Sequence, residues 1–157
     1  SSDLMFTTGI YSGLRVSDIL KLRVKDVRGK DYIAMREKKT KKEKRFIINK
    51  NLKKILEAWT RGKDDLQYLL ENPVTHRPIS RQRAWEVMRN AGEEFGVYNL
   101  GTHTMRKTFG YHMYQATHDA VMLMKLFNHS DIHVTLRYIG VEQDETDQAI
   151  SKLDFGV

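Results

Sequence analysis

Leu126-Phe-Asn-His-Ser-Asp-Ile-His-Val-Thr-Leu-Arg-Tyr-Ile-Gly140 reads as the end of one helix, a short break and the whole of a second helix. Ser130 is a good N-cap for the second helix, because a serine oxygen accepts a bond from an otherwise unpaired backbone N–H. Its apolar stripe is Ile132, Leu136 and Ile139, spaced i, i+4, i+7. Tyr138 lies roughly 120° from the centre of that stripe. Core filler belongs on the stripe, so the tyrosine is a candidate for chemistry. His129 precedes it by nine residues, roughly 12–14 Å along a helix axis. Helical side chains lean toward the N-terminus, so a phosphate lying between the two would meet both.

Outward from this stretch the second half of the chain is helical. Asp119 to Phe127 presents Ala120, Leu123, Met124 and Phe127. Thr102 is placed to cap a helix with Met105, Phe109 and Met113 on one side, and Ser80 one with Trp85, Met88 and Phe95. These methionines belong to a core, not to a cofactor box. Thr146 to Leu153 is expected to form a terminal helix. In the first half, a short helix over Asp3–Ile10 is broken by Gly9 and the Ser12-Gly13 pair, and Ser17 caps another carrying Ile19, Leu20 and Leu22. Asp31–Arg36 and Arg45–Ile48 are β-prone runs around a Lys-rich turn and predict a hairpin. Leu52, Ile55, Leu56 and Trp59 mark a helix over Asn51–Trp59, and Gln67–Leu70 is expected as a third strand before a loop bracketed by Pro73 and Pro78. The fold class is mainly α with a small antiparallel β-sheet (α+β). At 157 residues this is one domain, residues 1–157, with enough chain for a core.

Composition removes several classes of function. There are no cysteines, hence no disulfide, thiolate metal site or Cys nucleophile. No apolar run approaches the roughly 20 residues of a membrane span, so a cytoplasmic protein without a membrane partner is the simplest reading. The net charge of +7 is concentrated. Residues 21–50 carry thirteen Lys or Arg against four acids. Such a block is the footprint of a polyanion binder, or else a solvated Lys-rich hairpin. The end of the chain is acidic, with Glu142, Asp144, Glu145, Asp147 and Asp154 against Lys152 alone, and suits a protein partner better than phosphate.

Three places stand out, each at the start of a helix. Arg15 precedes the Ser17 cap, His103 and Arg106 lie three apart after Thr102, and His129 precedes Ser130. Helix starts favour phosphate through their free N–H groups and dipole. Arginine suits the role further, because its planar fork binds two oxygens at once. The plainer readings are that Arg15 pairs with Asp18, that His103 merely caps, and that His129 and His133 form a metal pair. No third ligand or His-Glu-x-x-His pattern stands beside those histidines, and no metal or other cofactor is expected.

Leu14-Arg15-Val-Ser-Asp18, His103-Thr-Met-Arg106 and Asn128-His129 with Tyr138 resemble, in order and spacing, the signature of the tyrosine recombinases. The stretch 126–140 is especially similar to integrases of temperate phages and conjugative elements. The resemblance spans residue 4 to about 150 and implies the catalytic-domain fold of that family. It further implies site-specific cleavage and rejoining of double-stranded DNA through a 3′-phosphotyrosyl intermediate. Arg15, His103, Arg106 and His129 then surround the scissile phosphate, Tyr138 attacks it, and Asp18 supports the arginine and histidine. The family's hairpin lysine, the proton donor to the leaving oxygen, matches Lys39 best, with Lys38, Lys41 and Lys42 close by. Lys38, Lys41, Lys42, Lys44 and Arg45 are expected to track the DNA backbone. By the same resemblance the protein is encoded by a bacterium or phage, and its full-length form carries a separate N-terminal clamp domain and assembles as a tetramer on DNA. The alternatives are a type IB topoisomerase-like strand transferase and a catalytically inactive DNA-binding module. Two positions depart from the family. Asn128 stands where many members have Gly, and Lys107 follows Arg106 where His is common.

Overall fold

The computed structural model describes residues 2–36, 41–94, 96, 98–101, 103–140 and 142–156. They form two compact units, residues 1–106 and 107–157. The first holds α1 (Ser2–Ser12), α2 (Val16–Ile19), α3 (Val24–Val27), β1 (Tyr32–Arg36), β2 (Glu43–Ile47), α4 (Lys50–Thr60) and α5 (Arg81–Glu94). The unit boundary falls within α6 (Thr104–Thr117), and α7 (Ala120–Phe127), α8 (Ile132–Ile139) and α9 (Glu142–Ser151) follow. The mainly helical class with one small antiparallel sheet is as the sequence predicts.

In the first unit the core is built on α1, which packs on α2, α4 and α5. Met5, Ile19, Leu52, Leu56 and Met105 are essentially solvent-free. Gly9 does not break α1. Met105 fills the space a side chain at residue 9 would need: a Cβ there would stand 2.7 Å from Met105 Cβ and 3.0 Å from its Cε. The glycine therefore serves close approach, and the helix runs on until Gly13 turns left-handed at φ 68°. This contact ties the first turn of α6 to α1, four residues before Gly13.

The two strands pair antiparallel from Tyr32↔Ile47 to Arg36↔Glu43. Ile33 is buried opposite the half-buried Phe46, while Tyr32, Ala34, Arg45 and Ile47 face water. The Asn49 side chain caps α4, accepting from the Leu52 N–H at 2.9 Å. Leu52, Leu56 and Thr60 form the buried stripe of that helix, and Ile55 turns outward. Ser80 caps α5 as expected, accepting from the Arg83 N–H at 3.0 Å. Ala84, Met88 and Gly92 line its buried side. Trp85 is instead exposed beneath Arg89, 4.7 Å from its ring centroid, and Phe95 lies outside the described residues.

Gln67–Leu70 is not a strand. Leu69 N–H donates to Leu22 O and Val24 N–H to Gln67 O, but Val24 then winds into α3, so pairing stops at the single bridge Arg23↔Tyr68. Part of the basic block is spent on this framework. Arg28 donates to the carbonyls of Thr60 and Lys63 and pairs with Asp65 at 2.7 Å. Arg23 reaches Leu66 O and the Tyr68 hydroxyl and lies 4.3 Å over the Tyr68 ring.

The second unit has its own small core of Tyr114, Leu123, Phe127 and Ile139. Asp119 caps α7, accepting from the Met122 N–H. Asp131, not Ser130, caps α8, accepting from the His133 N–H at 2.7 Å. The buried face of α8 centres on Thr135 and Ile139, while Ile132 and Leu136 are half-buried. Thr146–Leu153 proves to be the later part of α9 plus the residues after it.

Gly110 sets the spacing of this unit. A Cβ there would stand 2.7 Å from Ile139 Cγ2 and 2.8 Å from Phe127 Cε2. Gly110→Ala gains about 1 kcal/mol of helix propensity. Overpacking against side chains that are 2% and 6% exposed costs about 1–3 kcal/mol and wins. The variant is expected to melt several degrees lower. An unchanged melting temperature would show that α6 is not held tightly on α7 and α8.

Candidate functional site

In the first unit, Arg15 occupies an extended stretch (φ −68°, ψ 147°) and is the N-cap residue of α2; Ser17 is not. Its carbonyl accepts from the Asp18 and Ile19 N–H groups at 2.9 and 3.0 Å. Leu14 and Val16 on either side are buried, and alternation along an extended backbone leaves Arg15 facing water. Ser12 supports this turn, donating to Thr8 O and accepting from Leu14 N–H at 3.2 Å. The half-buried Asp18 pairs with Lys21 at 3.6 Å, so the plain Arg15–Asp18 pairing is not the arrangement found.

His103 and Arg106 sit at the start of α6. Gly101 N–H donates to Thr104 Oγ1 at 2.8 Å and Thr104 N–H returns to Gly101 O at 3.0 Å, which winds the first turn. Thr102, expected as the cap, lies outside the described residues. His103 is exposed and Arg106 half-buried with its Nε out of solvent. Because Met105 is locked against Gly9, both the Arg106 and the Arg15 segments are anchored on the second half of α1.

On the hairpin, Lys38 and Lys39 lie outside the described residues. Lys41, in a left-handed conformation at φ 55°, and Lys42 are exposed. Lys44 and Arg45 are on opposite faces of β2. Lys44 sits across from Met35, and Arg45 pairs with Glu43 at 3.1 Å and covers the Tyr32 ring at 4.6 Å.

The second unit brings His129 and Tyr138 together, with ring centroids 5.4 Å apart and planes at 78°. Phe127 lies edge-on to Tyr138 at 5.6 Å and tilted against His129 at 5.7 Å. His129 Nδ1 is 2.9 Å from Thr135 Oγ1, so this ring acts on any further partner through Nε2. The ring is aimed by the turn before it. Asn128 adopts φ 57°, ψ 36°, which lets the His129 N–H close onto Met124 O at 3.0 Å. Glycine meets that backbone demand most readily and asparagine next, which explains how Asn serves here. Lys107 Nζ lies 5.4 Å from the Tyr138 ring centroid.

Tyr138 is therefore half-buried on its own unit's core, though it stands off the stripe predicted from sequence. Chemically the cluster is a phenol beside an imidazole and an ammonium. Thr135 and Gly110 are positions that sequence reading missed, and Phe127 was read only as part of an apolar face. Only Gly110, a glycine inside an apolar helix, carried a signal. Among the described residues no three His, Asp or Glu side chains gather as a metal site, and no helix is long and apolar enough to cross a membrane.

The profile of the phage integrase family matches residues 1–145. A probable integrase/recombinase of Bacillus subtilis, YoeC, is 44% identical over 142 residues, covering 90% of this chain and 78% of that protein. Tyrosine recombinase XerA of Pyrococcus horikoshii is 28% identical over 145 residues, 90% of this chain but 50% of its own length. Among solved structures, XerA recombinase superposes with TM-score 0.74 at 17% identity, over 98% of this chain and 60% of the other. XerH recombinase bound to its difH substrate in a pre-cleavage complex gives 0.71 at 18%, over 96% and 46%.

Proposed function

The chain belongs to the phage integrase family, and from this we propose that it is the catalytic domain of a site-specific recombinase that joins DNA to Tyr138. The observation that carries the assignment is the close pairing of Tyr138 with His129 and Lys107 inside one compact unit. A phenol has a pKa near 10 and needs cationic and basic neighbours to act at neutral pH. The Tyr138 oxygen attacks phosphorus, forming a 3′-phosphotyrosyl bond and breaking the bond to the 5′ oxygen. His103 accepts the phenolic proton. Lys39 supplies the proton that the 5′ oxygen takes. Arg15 and Arg106 neutralise charge on the non-bridging oxygens, where positioned cations act most strongly. His129 donates a hydrogen bond to the phosphate, and Asp18 supports the arginine and histidine. A 5′ hydroxyl then attacks the phosphotyrosine and reverses the exchange. The ester conserves the bond energy, so rejoining calls for no nucleotide triphosphate.

Lys38, Lys41, Lys42, Lys44 and Arg45 contribute salt-sensitive contacts to DNA phosphates. Arg45 contributes least of these, since Glu43 and Tyr32 already engage it. The full protein acts on DNA in the cytoplasm as a tetramer, and the acidic end of the chain meets a neighbouring protomer.

The test is to incubate the protein with a nicked duplex bearing its attachment site and to score SDS-stable protein–DNA adducts. Adducts on that duplex, and not on unrelated DNA, are expected. Relaxation of any supercoiled plasmid without site preference would identify a topoisomerase-like transferase instead. DNA binding with no adduct would identify a binding module.

A further inference from the structure

We infer that Lys107 is a positioning residue for Tyr138, holding its ring and favouring loss of its phenolic proton. This rests on the reading of Tyr138 as the nucleophile. Lys107 stands three residues before Gly110, on the face of α6 whose Gly110 and Tyr114 meet the cluster of Phe127 and Ile139. With no side chain at 110, α6 closes on α7 and α8, and that closure carries the ammonium over the phenol ring at 5.4 Å from its centroid. The ring has T-shaped contacts with Phe127 and His129, and Lys107 adds a cation at 5.4 Å from its centroid.

A cation within about 6 Å of a ring centroid is attracted to the ring face. The attraction strengthens when the phenol ionises, because phenolate charge spreads into the ring carbons. Lys107 therefore places an ammonium beside a group that must shed its proton while its oxygen bonds to phosphorus. Lys107 itself neither gives nor takes a proton in the step. Among the described residues, Lys107 from α6 and His129 from the turn after α7 face the ring. Lys125 of α7 and His133 and Arg137 of α8 are the basic residues of those two helices, and Tyr111 of α6 packs against the same cluster.

The experiment measures single-turnover cleavage of the nicked duplex from pH 6 to 9 by the wild type and by Lys107→Met, Lys107→Arg and Lys107→His. Lys107 is exposed, so these variants keep the fold, which thermal melting checks. Lys107→Met is expected to cleave about tenfold more slowly at pH 7. Its rate should rise with pH along a profile moved up by about 0.5–1 unit. Lys107→Arg should restore both. Lys107→His should resemble wild type near pH 6 and the Met variant at pH 8, since imidazole loses its charge between them. DNA affinity should stay within about twofold throughout. A Met variant with wild-type rate and profile overturns the inference. So does a slower Met variant whose profile is unmoved and which Arg does not rescue. Absence of adducts from the wild type strikes the nucleophile assignment instead, which separates the two failures.

Discussion

Tyr138→Phe is expected to abolish covalent DNA adducts while leaving DNA affinity and melting temperature close to wild type. The substitution removes one oxygen. The ring that rests on Phe127 and His129 at 5.6 and 5.4 Å remains, as does the Lys107 contact over its face. Tyr138 is half-buried at the edge of a small core, so the fold loses little. The chemistry loses everything, because no neighbouring group replaces a phenolic oxygen at that place. Adduct yield on the nicked duplex and a parallel gel-shift titration check this. Adducts at wild-type yield from the Phe variant would move the nucleophile elsewhere in the chain.

Arg15→Ala should reduce the single-turnover cleavage rate by about 10²–10³, the usual cost of deleting one preorganised donor to a developing oxyanion. The variant separates chemistry from stability well. The guanidinium faces water, while the buried neighbours Leu14 and Val16 and the backbone bonds from Asp18 and Ile19 are untouched. The melting temperature should therefore hold. Arg15→Lys should recover only part of the rate, since an ammonium cannot span two phosphate oxygens in one plane. A loss of less than about threefold in the Ala variant would remove Arg15 from the phosphate site.

Most of the fold is legible in the sequence because its signals are local. Apolar spacing marks the helices from α4 onward, the hairpin follows from two β-prone runs, and Ser80 caps α5 where its position predicts. What is illegible depends on partners far along the chain. Gly9 reads as a breaker in isolation, and only Met105 packing onto it reveals a close approach. Gln67–Leu70 has strand-forming residues but a partner that turns into α3 after one bridge. Arg23 and Arg28 count toward a phosphate-binding charge, yet their guanidinium groups hold loop carbonyls. At the site, the motif residues are plain in the sequence, and the geometry explains one departure from the family pattern. Asn128 meets a left-handed turn that points His129 at Thr135 and Tyr138. The other departure, Lys107, has no local signature at all, since its meaning comes from the closeness that Gly110 permits.

The most direct measurement is chemical mapping of the trapped adduct. The complex formed on the nicked duplex is digested with nuclease and trypsin, and the nucleotide-bearing peptide is sequenced by mass spectrometry. The account predicts a nucleotide 3′-phosphate on Tyr138, within the tryptic segment 138–152. A nucleotide on Tyr111, Tyr114 or any other residue, or one joined through its 5′ phosphate, would contradict it.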